Sequence, residues 1–273
     1  MDDSKPVKEE GKTLQECISQ DESAFYEKSR AFAQEIEEKQ RAEVPLLGEK
    51  LTIGTLIESY DETLASEYYA RAVTISGNYN SIRRVRGDGN CYYRAYMTAL
   101  FELCCKDGKV LEAVTKVCDD LRPKFVELGF PELTTGDFCD AVQDLLVEMK
   151  EGKVTSSNLF EKLGNENIAN YYIAWSRIAA SAFLRANAEE YEVYMEQTLI
   201  QFCQEEIEPM WHDADSLAII ALVRALGQPV QIEYMDRSLG DSEGNFHKFP
   251  DHDAVPVLYL LFTIGHYDIL YKD

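Results

Sequence analysis

The sequence predicts an α+β fold that is rich in helix, with a small and mostly antiparallel sheet that the C-terminal strands complete. Apolar residues recur at helical spacing through the middle of the chain, between Cys91 and Leu226. From Pro229 onward the pattern changes to short segments that alternate between apolar and polar residues or are continuously apolar, as strands are. The chain contains no internal repeat and no low-complexity tract.

Residues 1–44 are predicted to form a charged, partly helical arm ahead of the main domain. Phe25, Phe32 and Ile36 fall close to one stripe of a helix, and charged residues occupy its other faces. An apolar stripe this narrow suits either a helix that lies on the body of the protein or an arm that binds a partner. Residues 45–273 are predicted to form the main domain.

Within the main domain, the core is expected to begin near residue 77, where a turn cluster precedes a short extended run. Besides a helix that starts at Cys91, helices are predicted over residues 46–60, 63–74, 109–128, 136–150, 168–186, 191–206 and 216–226. Strands are predicted over residues 81–86, 230–234, 257–262 and 267–271, with a polar loop over 236–255. Glycines stand just past the ends of three helices, as expected of helix C-termini: Gly129, Gly152 and Gly227.

The charge balance argues against several classes of partner. The formal net charge is -22, from 27 basic and 49 acidic residues, and a chain so acidic repels nucleic-acid phosphates and anionic membrane surfaces. No run of about 18 apolar residues is present, and the charged N-terminal segment lacks the apolar stretch of a secretory signal. A cytoplasmic location is therefore expected, with the nucleus as a further compartment.

Seven cysteines are present, an odd number, and no two of them are spaced as a C-x-x-C pair. This spacing does not support a zinc ribbon or a redox motif of the thioredoxin type. Most of the cysteines stand among apolar residues, which is typical of reduced cysteines in a cytosolic core. No metal and no cofactor is predicted.

A tight turn delivers one cysteine to the start of a helix. The turn is Gly87-Asp88-Gly89-Asn90, and the predicted helix begins at Cys91. Unpaired N–H groups and the helix dipole favour a thiolate at such a position, and the same N–H groups can hold an oxyanion. An ordinary loop followed by a helix-starting cysteine would have the same sequence, so a base is needed to support a catalytic interpretation.

The candidate base is His266, which opens the last predicted strand. Side chains alternate along a strand, so His266 and Asp268 share one face, while Tyr267 points to the other. Asp268 can therefore orient the imidazole. The remaining histidines are predicted to be solvated or packed on the surface: His212, His247 and His252.

Two motifs resemble those of the ovarian-tumour superfamily of cysteine deubiquitinases. Residues 88–95, DGNCYYRA, are similar to its cysteine motif, and residues 265–271, GHYDILY, are similar to its C-terminal histidine motif. Residues 202–210, FCQEEIEPM, and 231–237, QIEYMDR, resemble the otubain branch. The resemblance covers most of the chain from about residue 45, and it implies a papain-like protease fold.

The resemblance also implies roles for three side chains. Cys91 would attack the carbonyl of the C-terminal glycine of ubiquitin. His266 would activate the thiol and later protonate the leaving lysine amine, and Asp268 would orient His266. The implied substrate is ubiquitin joined to lysine by an isopeptide bond, mainly in polyubiquitin chains.

Further residues are assigned to the site by the same resemblance. The backbone at Asp88 and Cys91 would form the oxyanion hole, and Asn90 and Tyr267 are predicted to contact substrate. Tyr267 would flank the channel that admits the glycine tail. The sequence departs from the family pattern at Gly87, where a proline is common, and at residues 262–264, FTI.

Two other functions stay open at this stage. The chain could bind ubiquitin and ubiquitin-conjugating enzymes as a regulator that does not depend on catalysis. It could also be a papain-like protease with general peptide substrates, although it lacks the signal segment and disulfide pattern of secreted examples.

Overall fold

The computed structural model describes residues 44–192, 197–235 and 245–272. The predicted arm, residues 1–44, falls outside these ranges apart from its last residue. The chain divides after Val44, and the architecture below is that of the second unit, Pro45–Asp273. Within the described residues, no helix is both long and apolar enough to cross a membrane.

The described residues contain six strands in one sheet, and most of the remaining chain is helical. The strands are β1 (Leu47–Thr52), β2 (Ser81–Val85), β3 (Val230–Tyr234), β4 (Phe246–Phe249), β5 (Leu258–Thr263) and β6 (His266–Tyr271). The α-helices are α1 (Gly54–Glu58), α2 (Ser66–Ser76), α3 (Cys91–Lys106), α4 (Gly108–Glu127), α5 (Glu132–Lys150), α6 (Leu159–Leu163), α7 (Glu166–Ala186), α8 (Ala188–Tyr191), α9 (Leu199–Phe202) and α10 (Ser216–Leu226). A π-helical turn, Cys203–Ile207, follows α9 directly.

The strand order is β1-β2-β6-β5-β3-β4. Among the pairings of the described strands, only β3 with β5 is parallel. The last strand, β6, therefore lies inside the sheet, hydrogen-bonded to β2 on one side and to β5 on the other. The pairing with β5 fixes the backbone of His266 and Asp268, while β2 pairs with the later part of the strand, Ile269–Tyr271. The predicted α+β class with a mostly antiparallel sheet is confirmed.

Helix α3 is the central helix of the larger core. Of its 16 residues, 13 are buried, and it packs against β6 as well as against α4 and α7. Three of its tyrosines, Tyr92, Tyr93 and Tyr96, are at most 1% exposed. Burial of a side chain of this size contributes roughly 1.5–3 kcal/mol. The N-terminus of α3, where Cys91 stands, is thereby held rigidly beside the sheet.

Two predicted helices are wrong. Residues 46–60 contain β1 and the short α1 instead of one helix, because Leu47–Thr52 pairs with the otherwise open edge of β2. Four of the six residues of β1 are exposed, so backbone pairing holds this strand more than side-chain burial does. The helix predicted over 191–206 is interrupted as well, since Thr198 caps a new helix through a reciprocal bond with Gln201.

The predicted polar loop over 236–255 also contains a strand. β4 pairs antiparallel with β3 and ends the sheet. Its four residues alternate too briefly to be distinguished from a loop by pattern alone. The helix-ending glycines are confirmed in conformation, because Gly129, Gly152 and Gly227 all have φ between 65° and 86°, the left-handed region that glycine adopts most easily.

Candidate active site

Cys91 and His266 are brought together by the packing of α3 on β6. Cys91 is the first residue of α3 and is 2% exposed, and a hydrogen bond joins its side chain to His266. The first N–H groups of a helix have no carbonyl partner within the helix, so they favour negative charge at this point. The predicted pair of a cysteine nucleophile and a histidine base therefore has the required proximity.

His266 lies between the cysteine and a carboxylate. Its Nε2 is 2.9 Å from Oδ1 of Asp268, as the shared strand face predicts. The other ring nitrogen, Nδ1, is directed toward the turn before Cys91, since a Cβ atom placed on Gly87 would lie 3.3 Å from it. Nδ1 is thus the nitrogen available to the thiol. Glycine at position 87, where the sequence departs from the family pattern, leaves room for the ring.

The environment of His266 favours its protonated form. Burial lowers the pKa of the imidazole, but the hydrogen bonds and charges of Asp268 and Cys91 raise it more, to about 10. At neutral pH the ring is therefore an imidazolium that faces the sulfur of Cys91. An adjacent imidazolium favours the thiolate, which is the nucleophilic form of cysteine.

The carboxylate of Asp268 is 1% exposed and receives three hydrogen bonds. Besides His266, the N–H of Val85 donates to Oδ1 at 2.9 Å, and Nη1 of Arg84 donates to Oδ2 at 2.8 Å. Burial raises the pKa of Asp268, but the bonds from His266, Arg84 and Val85 outweigh burial and lower it. Sequence reasoning missed Arg84, because a basic residue on a strand does not indicate a partner far along the chain.

Asp88 shapes the turn with its carboxylate. The side chain is buried, Oδ1 accepts from the N–H of Asn90 at 3.0 Å, and Oδ2 pairs with Nη2 of Arg94 at 2.6 Å. The carboxylate therefore points into the protein and holds the loop that precedes Cys91. The oxyanion role assigned to the backbone of Asp88 stays a prediction.

Asn90 is fully buried, and its Oδ1 accepts from the guanidinium of Arg177 and from the N–H of Trp211 at 3.0 Å. This arrangement gives Asn90 a direct part in holding the loop. Its predicted contact with substrate stays a prediction. Gly89, next to it, has φ 71°, and a Cβ atom there would lie 2.3 Å from the carbonyl oxygen of Trp211. Only glycine fits at position 89 without displacing that backbone.

Tyr267 points to the face of β6 opposite His266, as predicted. It is 7% exposed and packs edge-on against Tyr92, with ring centroids 5.3 Å apart, and against Phe262 at 4.9 Å. Its position beside the substrate channel stays a prediction.

The other histidines have different surroundings. Nε2 of His212 lies 2.7 Å from Oε2 of Glu206, and the ring of His247 packs against Tyr234. The side chain of His252 is almost wholly exposed. Among the contacts of the described residues, His266 is the only histidine that bridges a cysteine and a buried carboxylate.

The remaining described cysteines do not compete as nucleophiles. The cysteines that the structure describes are free thiols. Burial raises the pKa of the Cys104 thiol to about 12 and also raises the pKa of Cys118 and Cys203. Thiols of this kind are inert at neutral pH. Over the described ranges, no cluster of three or more His, Cys, Asp or Glu side chains is arranged to hold a metal ion.

Comparisons with known proteins agree with this geometry. The sequence model of the family described as Peptidase C65 Otubain matches residues 39–272. "Ubiquitin thioesterase otubain-like" of Caenorhabditis elegans is 39% identical over 241 residues, which cover 87% of this chain and 84% of that protein. "Ubiquitin thioesterase OTUB1" of Homo sapiens is 33% identical over 258 residues, which cover 94% of this chain and 92% of that protein.

Solved structures are similar to this chain over nearly the same extent. The complex of h/ceOTUB1 with ubiquitin aldehyde and UBC13~Ub has a TM-score of 0.87 at 37% identity, and the match covers 92% of this chain and 99% of that one. The corresponding complex with UBCH5B~Ub has a TM-score of 0.86 at the same 37% identity. The family match, over residues 39–272, spans all the residues that the structure describes, including α3 and β6.

Proposed function

This chain belongs to the Peptidase C65 otubain family, and from that premise we propose that it is a deubiquitinase. It hydrolyses isopeptide bonds between the C-terminal glycine of ubiquitin and lysine, using a cysteine thiolate. The observation that carries the proposal is the position of His266, which is hydrogen-bonded at once to Cys91 and to Asp268. A nucleophile, a base and a group that orients the base are the parts that such a reaction needs.

The first half of the reaction transfers the ubiquitin carbonyl to sulfur. The thiolate of Cys91 attacks the carbonyl carbon of the terminal glycine, and the C–S bond forms as the carbonyl becomes an oxyanion. The oxyanion is held by the backbone N–H groups at Asp88 and Cys91, since the first N–H groups of α3 have no partner within the helix. His266 then gives its Nδ1 proton to the lysine amine as the C–N bond breaks, which leaves a thioester on Cys91.

The second half releases ubiquitin. The now neutral imidazole of His266 takes a proton from water, and the hydroxide attacks the thioester carbon. The C–S bond breaks, and the thiolate of Cys91 returns with its imidazolium partner. Ubiquitin leaves with a free C-terminal carboxyl group, which loses its proton to the solvent. Asp268 keeps one ring orientation through both halves, because its other bonds, to Val85 and Arg84, hold the carboxylate in place.

The partners of this chain are ubiquitin, polyubiquitin and ubiquitin-conjugating enzymes. The similar solved complexes contain ubiquitin aldehyde together with UBC13~Ub or UBCH5B~Ub. Those complexes favour a second function for this chain, in which it binds a conjugating enzyme that carries ubiquitin, independently of catalysis. With a net charge of -22, the chain attracts partners through their basic surfaces.

Cleavage of diubiquitins of every linkage tests the proposed function. The wild-type chain is expected to cleave at least one linkage, and Cys91→Ala to cleave none. Cys105→Ala is a matched control, because Cys105 stands on the same helix and is only partly buried. A wild-type chain that binds ubiquitin but cleaves no linkage would contradict the proposed hydrolysis, and only the binding function would remain.

We also propose a cytoplasmic location, with the nucleus as a further compartment. The acidic composition and the spacing of the cysteines support it. Microscopy of the tagged full chain tests this, and localisation to a secretory compartment would contradict it.

A further inference from the structure

Arg177, on α7, is completely buried beneath the loop that carries Cys91. Its Nη2 donates to Oδ1 of Asn90 at 2.7 Å and to the carbonyl of Gly89 at 2.9 Å. It also donates to the carbonyl of His212 at 2.6 Å, through Nη2, and to that of Ile207 at 2.9 Å, through Nη1. One guanidinium thus joins two segments of chain, the cysteine loop and residues 207–212.

Stacking fixes the plane of the Arg177 guanidinium, in addition to the hydrogen bonds that fix its position. It stacks over the ring of Tyr93, 4.1 Å from the centroid, and Tyr93 is itself buried in α3. A planar fork that is stacked and bound at several points loses little freedom when it makes each bond. The loop before Cys91 is therefore held in place relative to both α7 and the first turn of α3.

The segment 207–212 contains a backbone conformation that needs support. Trp211 has φ 68°, an unfavourable value for a residue with a side chain. Its N–H donates to the same Oδ1 of Asn90 that accepts from Arg177, and its carbonyl packs directly on Gly89. Arg177 holds the carbonyls of Ile207 and His212 on either side of this strained residue.

The charge of Arg177 faces neutral oxygen atoms in these bonds. The acceptors named above are three backbone carbonyls and one side-chain amide, while the nearby carboxylate of Asp88 pairs with Arg94. A guanidinium remains charged in proteins. Burial of that charge is costly, and these hydrogen bonds offset the cost, so the fork and its acceptors are held together as one unit.

We propose that Arg177 is a positioning residue for hydrolysis, whose fork locks the Cys91 loop onto residues 207–212. The proposal rests on the proposed function. It assigns Arg177 an effect on the geometry of the cysteine loop, and this effect requires no contact with substrate.

The test compares Arg177→Met and Arg177→Lys with a matched control, Arg185→Met. Arg185 stands on the same helix, has a side chain only 10% exposed, stacks on Phe130 and pairs with Glu208, close to the same segment. Each variant is measured for kcat and KM on a fluorogenic ester or amide of the ubiquitin C-terminus. Backbone hydrogen exchange of residues 87–91, read by mass spectrometry, reports how firmly the cysteine loop is held, without any ubiquitin.

Arg177→Met is expected to lower kcat about 100-fold, as misplacement of a reacting group by about 1 Å does, with little change in KM. Hydrogen exchange of residues 87–91 is expected to become at least tenfold faster. Arg177→Lys keeps the charge but not the fork, so its kcat is expected to stay low and this exchange to stay fast. Arg185→Met is expected to lower the melting temperature and to leave both kcat and the exchange of residues 87–91 unchanged.

An equal loss of kcat in Arg177→Met and Arg185→Met, or hydrogen exchange of residues 87–91 that is not faster in Arg177→Met, would overturn the proposal. If Arg177→Met does not fold, Arg177→Lys decides. A kcat at least tenfold below wild type together with faster exchange supports the proposal, and any other result overturns it. A wild-type chain that does not turn over the ubiquitin substrate contradicts the proposed function, whereas the exchange measurement still tests Arg177.

Discussion

His266 and Asp268 stand two residues apart on one face of β6, and Nε2 of the imidazole lies 2.9 Å from Oδ1 of the carboxylate. Both residues are paired with β5, so the backbone of neither can shift without disturbing the sheet. The carboxylate is also held from outside the strand, by Arg84 and the N–H of Val85. The site thus keeps its base oriented before any substrate arrives.

Removal of the base is expected to cost more than removal of the group that orients it. His266→Ala should lower kcat/KM by about 10²–10⁴-fold, the usual contribution of a positioned general base. Asp268→Ala should cost less, because water and packing can hold the ring in part. Turnover of a ubiquitin C-terminal fluorogenic substrate measures both.

The three remaining histidines, whose surroundings differ from those of His266, are matched controls for the base. Alanine variants of His212, His247 and His252 should each retain activity near that of the wild type. A loss at any one of them comparable to that of His266→Ala would move the base elsewhere.

The pH dependence of stability and activity should follow the proton on His266. Burial lowers the pKa of this group, but Asp268 and Cys91 raise it from its ordinary 6.5 to about 10. The folded state therefore binds the proton more tightly than the unfolded chain, so the stabilisation is complete below pH 6.5 and is lost as the pH rises toward about 10. Hydrolysis should decline as the pH rises through the same range, because the leaving amine then lacks its proton donor. This decline is the alkaline limit of activity.

Asp268→Asn should move that alkaline limit to lower pH, since it removes a negative charge that raises the pKa of His266. Initial rates across about pH 6–11, with circular dichroism to establish that the fold persists, measure the limit. An alkaline limit that is the same in wild type and Asp268→Asn would show that another group controls it.

Gly89→Ala is expected to lower kcat far more than the same substitution at Gly129. Gly89 has φ 71°, and a Cβ atom would lie 2.3 Å from the carbonyl oxygen of Trp211, so the cysteine loop must move. Gly129→Ala is a matched control, because Gly129 has φ 86° and a Cβ atom added there would meet no other atom within 4 Å. The control should lose about 1–2 kcal/mol of stability from backbone strain and keep its specific activity.

Melting temperature and kcat of the two alanine variants separate the effect of backbone strain at positive φ from the effect of the close contact with Trp211. Equal kcat in Gly89→Ala and Gly129→Ala would show that the contact of the loop with Trp211 has no bearing on catalysis.

The charged N-terminal arm should matter more to polyubiquitin than to the chemistry. The sequence predicts that Phe25, Phe32 and Ile36 share one helical stripe, which suits binding of a partner beside the active site. Removal of residues 1–44 should weaken cleavage of chains and leave turnover of a small ubiquitin-linked reporter nearly unchanged. A truncated chain that cleaves polyubiquitin like the wild type would refute this hypothesis, and a large fall in melting temperature would favour a purely structural arm.

The reacting groups could be predicted from the sequence because their signals are local. Cys91 follows a tight turn at the start of a helix, and His266 and Asp268 have the two-residue spacing of one strand face. Their supports could not be predicted in the same way. Arg84 is 184 positions from Asp268, and Arg177 is 87 positions from Asn90, so neither pairing leaves a pattern in the nearby sequence.

The same physical reason explains the elements that were predicted wrongly. Leu47–Thr52 is a strand because the edge of β2 accepts it, and that edge is formed by residues much later in the chain. β4 exists because β3 offers a second edge. Long helices such as α4 and α7 were predictable because their apolar stripes repeat over many turns, whereas an edge strand is decided by a neighbour that is distant in sequence.

The most direct test of the central claim is the site at which a reactive ubiquitin attaches. The full chain is incubated with ubiquitin that carries an electrophile in place of its C-terminal carboxylate, and the modified peptide is identified by mass spectrometry. One adduct per chain is expected, on Cys91, formed by the wild type and by Cys105→Ala but not by Cys91→Ala. An adduct on a different cysteine, or adduct formation that survives in Cys91→Ala, would show that Cys91 is not the nucleophile.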